Sequence, residues 1–208
     1  MVNHPIFARV YGRLAPAAER AGAGAHRDEL LAGLKGRVIE VGAGSGLCFA
    51  HYPSTVTEVV AVEPEPHLRH LAERSACEAP VTVRVVDGTA DRLLADDGSF
   101  DAAAVSLVLC SVPDQRAALA ELHRVLRPGG SLRFYEHVRS SNPRQARLQE
   151  HIDWLWPFLS GGCHASRDTE TAISGAGFRV EWCQRLDFRP CVFALPFSPH
   201  IIGEAIRP

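Results

Sequence analysis

The sequence predicts an α/β fold with a mostly parallel sheet, on three observations. Short apolar segments alternate with helical segments along most of the chain. A helix between two strands of one sheet returns the chain to the same end, so the two strands are parallel. The segment FDAAAVSLVL (100–109) is apolar almost throughout, as expected of a strand covered on both faces. A chain of 208 residues suits a single domain with its own core.

The elements follow in a regular order. Residues 4–34 are predicted to be helical, with breaks at Pro16 and across 21–25. A helix is predicted over 65–77 and another over 114–126, with Asp114 as N-cap and the Pro-Gly-Gly that follows as its end. Strands are predicted at the short runs rich in Val, Ala and Ile, which are 37–42, 58–63, 81–86, 100–109 and 131–138.

The last third of the chain departs from this alternation. FRVEWCQRL (178–186) and HIIGEAIR (200–207) follow each other without a helix, which predicts an antiparallel pair at one edge of the sheet. Residues 139–165 interrupt the rhythm, and we expect them to lie over the carboxyl edge of the sheet. This segment carries three aromatic residues that either line an apolar pocket or pack onto the sheet: Trp154, Trp156 and Phe158.

Composition excludes several classes of protein. Apolar residues make up 46% and charged residues 22% of the chain, which is typical of a soluble globular protein. The net charge of −2 argues against a nucleic-acid binder. The longest uncharged apolar run, 102–112, is too short to span a bilayer, and the N-terminus lacks a signal core. We therefore expect a cytoplasmic protein without a membrane anchor. Lys35 is the only lysine among 22 basic residues, which indicates a GC-rich bacterial genome.

A glycine-rich loop, Glu40-Val41-Gly42-Ala43-Gly44-Ser45-Gly46, directly follows the first predicted strand. Glycines at such a position let the backbone approach a ligand, and the helix start that follows points N–H groups at it. A dinucleotide fingerprint needs a further glycine where Leu47 stands. A phosphate-binding P-loop needs a lysine, and a nucleophile elbow around Ser45 needs glycines at 43 and 47. A plain glycine turn stays open as an alternative.

Two acidic residues flank this loop in the predicted sheet. Glu63 ends the second strand, where a carboxylate can accept hydrogen bonds from both hydroxyls of an adenosine ribose. The alternative for Glu63 is an exposed carboxylate at a strand end. Glu40 precedes the glycines, and its negative charge suits an amino group or a sulfonium better than a pyrophosphate.

These residues resemble a known family. The E-V-G-A-G-S-G loop, Glu63 and LRPGG (126–130) are similar to the class I S-adenosylmethionine-dependent methyltransferases, in the broad branch of the ubiquinone-type enzymes. Four further segments are closer to a sub-branch that contains methyltransferase-like thiol S-methyltransferases, namely LVLCSV (107–112), FYEHV (134–138), GGCHASRDT (161–169) and GAGF (175–178). The resemblance covers about residues 7–207.

The resemblance implies one domain over residues 1–208 with a Rossmann-like, seven-stranded sheet. Its strand order would be 3-2-1-4-5-7-6 with strand seven antiparallel, and helices would cover both faces. Residues 1–35 would form an N-terminal helical lid, and 139–165 an insertion over the active site. The cofactor would be S-adenosylmethionine, released as S-adenosylhomocysteine. The sequence does not predict an oligomeric state.

The resemblance also assigns cofactor contacts. The glycine loop would line the methionine part, with Glu40 near its amino group, and Glu63 would hold the ribose. The turn after strand three would bind adenine, and the end of strand four would pack near adenine and sulfonium. The implied contacts are Tyr11, Glu40, Gly42, Ala43, Gly44, Gly46, Glu63, Pro64, Gly88, Thr89, Ala90, Ser106, Leu107 and Val108.

The expected reaction is methyl transfer to a small, fairly apolar acceptor, with a thiol as first choice. A thiol reacts as its anion, and histidine is the natural base near neutral pH. His137, at the end of strand five, and His164, in the insertion, are therefore the candidate catalytic residues, with a structural role as the alternative for each. The other acceptors considered are a quinone, a polyketide or a similar metabolite, methylated on oxygen or carbon.

Two other functions compete with this hypothesis. Leu47 and Glu40 disfavour a nicotinamide-dependent oxidoreductase, whereas a cofactor-binding module without catalysis stays open. No metal site is expected, because Cys163-His164 has no second Cys/His pair at ligand spacing. The six cysteines are expected to be reduced thiols.

Overall fold

A computed structural model describes residues 8–10, 12, 17–189 and 196–208. Seven strands form one sheet in the order β3-β2-β1-β4-β5-β7-β6. The strands are β1 Gly36–Val41, β2 Val56–Val62, β3 Val83–Val86, β4 Phe100–Ser106, β5 Leu126–His137, β6 Arg179–Asp187 and β7 Pro199–Ile206. The first five strands are parallel to one another, and β7 runs antiparallel to both β5 and β6. The predicted order and the antiparallel edge are confirmed.

The helices Gly24–Leu31, Pro66–Ala76 and Gln115–Val125 lie where the alternating pattern predicts them, with different ends, whereas the three helices after β5 were not predicted. After a π-helix over Glu19–Ala23, the α-helices are Gly24–Leu31, Pro66–Ala76, Gln115–Val125, Pro143–Ile152, Trp156–Leu159 and Thr169–Gly175. The expected break across 21–25 overlaps the end of the π-helix, where Gly22 has a φ of +121°, and the expected break at Pro16 lies outside the described residues. Asp114 caps its helix as predicted, because its side chain accepts from the Ala117 N–H. None of the described helices is long and apolar enough to cross a membrane.

Two strand predictions missed an end of the strand by three or more residues. β4 stops at Ser106 and not at 109, because Leu107 turns the chain with a φ of +60°. β5 begins at Leu126 and not at 131, so LRPGG forms the start of a strand. The register between β4 and β5 is irregular between Phe100 and Ala102, which accommodates this early start.

Both faces of the sheet are covered, and each face has its own core. Alternate residues of a strand point to opposite faces. In β4, Ala103 and Val105 join one apolar cluster, which includes the helix Gln115–Val125. Ala102 and Ala104 join the other cluster with residues of the helix Gly24–Leu31. This double burial explains why β4 is apolar almost throughout.

Candidate active site

A cleft of about 830 Å³ lies at the carboxyl ends of the parallel strands β1 to β5. Ligands bind at this edge in open α/β sheets, because the loops after the strands meet there. Residues from the ends of β1, β2, β4 and β5 and from the turn after β3 line the cleft. Twelve predicted site residues are among them, namely Gly42, Gly44, Glu63, Pro64, Gly88, Thr89, Ala90, Ser106, Leu107, Val108, His137 and His164.

Three of the remaining predicted residues are described but do not line the cleft. Glu40 and Ala43 are buried. Gly46 has a φ of +81°, and a Cβ there would come within 2.7 Å of the Phe49 ring, so close packing requires a glycine. Tyr11 lies outside the described residues.

Gly42 and Glu63 shape the cleft wall beside the glycine loop. Gly42 has a φ of +72°, and a Cβ there would lie 2.4 Å from Val108 Cγ2. Glu63 is 5% exposed and accepts hydrogen bonds from the N–H groups of Gly44 at 2.8 Å and Glu65 at 2.9 Å. Burial raises the pKa of Glu63, and these two hydrogen bonds limit the rise. A carboxylate has about four acceptor positions, so Glu63 keeps acceptor capacity for a ligand in the cleft.

Glu40 occupies a more enclosed position than Glu63. It is 3% exposed, and its Oε2 accepts a hydrogen bond of 2.8 Å from the Tyr52 hydroxyl. Burial raises the pKa of Glu40 to about 7, and the hydrogen bond from Tyr52 opposes the rise. This carboxyl group therefore titrates near neutral pH, next to the glycine loop.

Replacing Glu40 with glutamine is expected to remove a pH dependence of stability. Between pH 4.5 and about 7, the folded protein keeps a proton at Glu40 that the unfolded chain has released. The free energy of unfolding therefore falls as pH rises through this window. A pKa shift from 4.5 to about 7 corresponds to a loss on the order of 3 kcal/mol.

Glu40→Gln keeps an acceptor for the Tyr52 hydroxyl without a charge. Its free energy of unfolding should exceed that of the wild type at about pH 8 and not at about pH 4. Urea denaturation at these two pH values measures the difference. The same pH dependence in both proteins would contradict the titration of Glu40.

The turn after β3 forms the outer end of the cleft. Thr89 is held there by a backbone bridge to Arg92, and Asp91 lines the cleft beside it. Asp87, the nearest acid to Gly88 in the sequence, pairs with Arg69 at 3.1 Å and is largely exposed. Sequence reasoning missed Asp91, since only the fold of this turn distinguishes the two acids.

A buried carboxylate holds the turn after β4. Glu136 is fully buried and accepts three backbone hydrogen bonds of 3.0 Å, from the N–H groups of Val108, Leu109 and Cys110. Burial raises the pKa of Glu136, and these three donors oppose the rise. The positive φ of Leu107 starts this turn. Such a conformation is costly for leucine, and it is typical of functional sites.

Two cysteines and His137 meet at the inner end of the cleft. The Sγ atoms of Cys110 and Cys163 are 3.7 Å apart. His137 Nδ1 lies 3.7 Å from the Cys110 Sγ and 3.5 Å from the Cys163 Sγ. The contact with Cys110 and the nearby imidazole lower the pKa of Cys163 well below its usual range. Burial lowers the pKa of His137, but Cys163 outweighs burial and raises it.

Backbone contacts bring the two cysteines together. The His164 N–H donates to the Cys110 carbonyl at 2.7 Å. Gly162 has a φ of +95°, and a Cβ there would lie 2.6 Å from the Ser111 carbonyl oxygen. The turn that carries Cys163 therefore packs directly on the turn that carries Cys110. Sequence spacing gave no signal for this cluster, because its members are more than 25 residues apart.

The second candidate histidine is used differently. His164 lines the cleft, but its Nδ1 lies 3.0 Å from Asp153 Oδ2. The neighbouring residues Cys163 and His164 therefore have different partners, since Cys163 contacts Cys110 and His137. Of the three aromatic residues, Trp156 lines the cleft, whereas Trp154 and Phe158 are 73% and 78% exposed. Only Trp156 is therefore placed to contact an acceptor.

The chain is similar to known methyltransferases. The family model described as "Methyltransferase domain" matches residues 39–134. Thiol S-methyltransferase TMT1B of Rattus norvegicus is 36% identical over 176 residues, which cover 82% of this chain and 70% of the relative.

Two solved structures share the fold. A Thermotoga maritima protein described as an S-adenosylmethionine-dependent methyltransferase, possible histamine N-methyltransferase, has a TM-score of 0.73 at 24% identity, covering 98% of both chains. Geranyl diphosphate methyltransferase in complex with S-adenosylmethionine has a TM-score of 0.68 at 14% identity, covering 90% of this chain and 85% of that chain.

Proposed function

The chain belongs to the class I S-adenosylmethionine-dependent methyltransferases, in a group related to the thiol S-methyltransferases, and on this premise we propose that it methylates the sulfur of a small, fairly apolar thiol. The observation that carries this proposal is the position of His137 and Cys163 at the end of the cleft farthest along the sheet from β3. The name of the Rattus norvegicus relative supports it.

The residues of the cleft fit S-adenosylmethionine, which supplies a methyl group on a positively charged sulfur. We propose that the glycine loop holds the methionine part and that the spare acceptor capacity of Glu63 takes the ribose hydroxyls. The adenine would lie at the turn that carries Thr89 and Asp91. The cofactor would then extend along the ends of β3, β2 and β1, and the acceptor would bind at the ends of β4 and β5.

The proposed acceptor site has apolar walls, and its polar groups include His137. Val112, Pro113 and Trp156 line this part of the cleft, and they exclude water from a bound acceptor. His137 reaches the same space from the end of β5. We propose that His137 promotes the ionisation of the acceptor thiol, because the anion is the better nucleophile. The cleft would also position the acceptor, because methyl transfer needs the acceptor atom, the methyl carbon and the cofactor sulfur in line.

The segment 139–165 supports this arrangement. Trp156 and residues 160–164 line the cleft, and we propose that the segment covers the acceptor during the reaction. The lid proposed for residues 1–35 would close the cofactor end.

The test is a turnover assay that follows the release of S-adenosylhomocysteine. Equal concentrations of apolar thiols, phenols and quinones are supplied as acceptors, and the expected result is turnover with thiols only. A thioether analogue of the best thiol is the matched control, because it has the same shape and no ionisable proton. Turnover with phenols or quinones and none with thiols would replace the proposal with O- or C-methylation.

A further inference from the structure

The geometry points to a zinc-binding site formed by the Sγ atoms of Cys110 and Cys163 and by Nδ1 of His137. Zinc in proteins prefers thiolate and imidazole ligands, at about 2.3 Å for sulfur and about 2.0–2.1 Å for nitrogen. A tetrahedral arrangement at these bond lengths separates two sulfurs by about 3.8 Å and a sulfur from a nitrogen by about 3.6 Å. The three separations here are 3.7, 3.5 and 3.7 Å.

Charge and burial support the same conclusion. Cys110 is fully buried and Cys163 is 5% exposed, so two ionised thiols alone would be costly there. Two thiolates, one neutral imidazole and Zn²⁺ have no net charge. Metal binding would therefore let both cysteines ionise without leaving an unpaired charge in the interior.

The three ligands are held in place by the fold before any metal binds. Glu136 fixes the turn with Cys110, and the His164 N–H joins the turn with Cys163 to it. His137 is the last residue of β5, and its ring packs against His200 with centroids 4.2 Å apart.

The site has three protein ligands, which would leave a tetrahedral zinc one open position. Cys163 and His137 line the cleft, so a ligand in the cleft can reach the metal. Three protein ligands with one open position are the pattern of catalytic zinc, whereas structural zinc has four. This role in catalysis rests on the proposed function, but metal binding does not.

At the open position a thiol would lose its proton to solvent, because the metal stabilises the thiolate. A lone pair of that sulfur would then form the new S–C bond. The bond from the methyl carbon to the cofactor sulfur would break, and its electron pair would stay on that sulfur. The cluster would thus be the means by which His137 promotes ionisation of the acceptor.

Two thiols in contact without a metal would have a similar distance between their sulfur atoms. The experiment therefore measures bound metal directly. The full chain is stripped with a chelator under reducing conditions, reloaded with Zn²⁺ and analysed for bound zinc. A parallel titration with Co²⁺ follows the thiolate-to-metal charge-transfer band. We expect one zinc per chain and a charge-transfer band that saturates at one equivalent of cobalt.

Variants assign the site to these residues. Cys163→Ser should weaken zinc binding more than about 100-fold, beyond the 10–100-fold that the loss of an outer partner costs, and His137→Asn should do the same. Cys77→Ser is the matched control, because Cys77 is an exposed thiol and its loss should leave binding unchanged. Binding of S-adenosylhomocysteine, measured by calorimetry, shows that each variant is folded.

Three results would overturn the site: wild-type protein without stoichiometric zinc, a Cys163→Ser variant that binds zinc as tightly as the wild type, or a Cys110–Cys163 disulfide in freshly purified protein. Full turnover of chelator-treated protein on a thiol would overturn the catalytic role. Zinc binding is measured without an acceptor, so its failure leaves thiol methylation standing. Conversely, a zinc-loaded protein that methylates no thiol contradicts the proposed function alone.

Discussion

Replacing Glu63 with alanine is expected to weaken binding of S-adenosylhomocysteine by about 10²–10³-fold, the largest effect on the cofactor of any single acid in the chain. Two hydrogen bonds from the ribose hydroxyls to a charged acceptor would be lost, each contributing about 1.5–3 kcal/mol before water replaces part of the loss. A net loss of about 3–4 kcal/mol gives that range of affinities. Isothermal titration calorimetry measures the dissociation constant directly.

The structure adds a second reason for a large effect. Glu63 also accepts the Gly44 N–H, so alanine leaves this donor of the glycine loop without its partner and frees the loop to move. Glu63→Gln separates the two roles, because the amide has nearly the same shape but only one acceptor atom. It should bind more tightly than the alanine variant and more weakly than the wild type.

Glu58→Ala is the matched control for Glu63→Ala. Glu58 lies in the same strand, β2, near its amino end, where it pairs with Arg37 at 2.8 Å. This half-buried ion pair is at the other end of the strand from the cleft, and its loss should leave the affinity for S-adenosylhomocysteine unchanged. Equal affinities of Glu63→Ala and the wild type would show that the carboxylate holds only the loop and not the ribose.

Local patterns predicted the parallel part of the sheet, because a parallel sheet leaves a strong local signal, whereas the strand order came from the family resemblance. The strand β4 is buried on both faces, and its apolar sequence reports this burial directly. The glycine loop and Glu63 were found for a similar reason, since each lies directly after a strand and the ends of parallel strands share one edge. The prediction of β4 failed at Leu107, where an unusual φ is maintained by Glu136 and not by the local sequence.

The cluster of Cys110, His137 and Cys163 could not be predicted in this way. Each residue stood within a segment that marked the sub-branch, but no spacing rule joins residues from three separate turns. Contacts between the turns bring them together, such as the close approach of Gly162 to the Ser111 carbonyl. Sequence reasoning considered a metal only for adjacent cysteine and histidine residues, and His164 faces Asp153 instead.

His137→Asn is expected to lower turnover of a thiol acceptor by about 10²–10⁴-fold near neutral pH, the range for losing a group that assists deprotonation. Asparagine keeps a polar side chain of similar size, but it neither takes up a proton near neutral pH nor binds zinc as imidazole does. Binding of S-adenosylhomocysteine should change little, because His137 lies at the acceptor end of the cleft. His151→Asn is the control, since the His151 side chain is exposed and donates to the Arg147 carbonyl.

The pH profile of this variant decides what His137 does. A free thiol has a pKa of about 8.5 in cysteine, so the acceptor supplies its own anion as pH rises and the loss in His137→Asn should shrink. With a phenol of pKa about 10, the loss should persist to higher pH. A loss that is constant with pH would mean that His137 only positions the acceptor. Full activity of His137→Asn on a proven thiol would make the residue structural and His164 the next residue to replace.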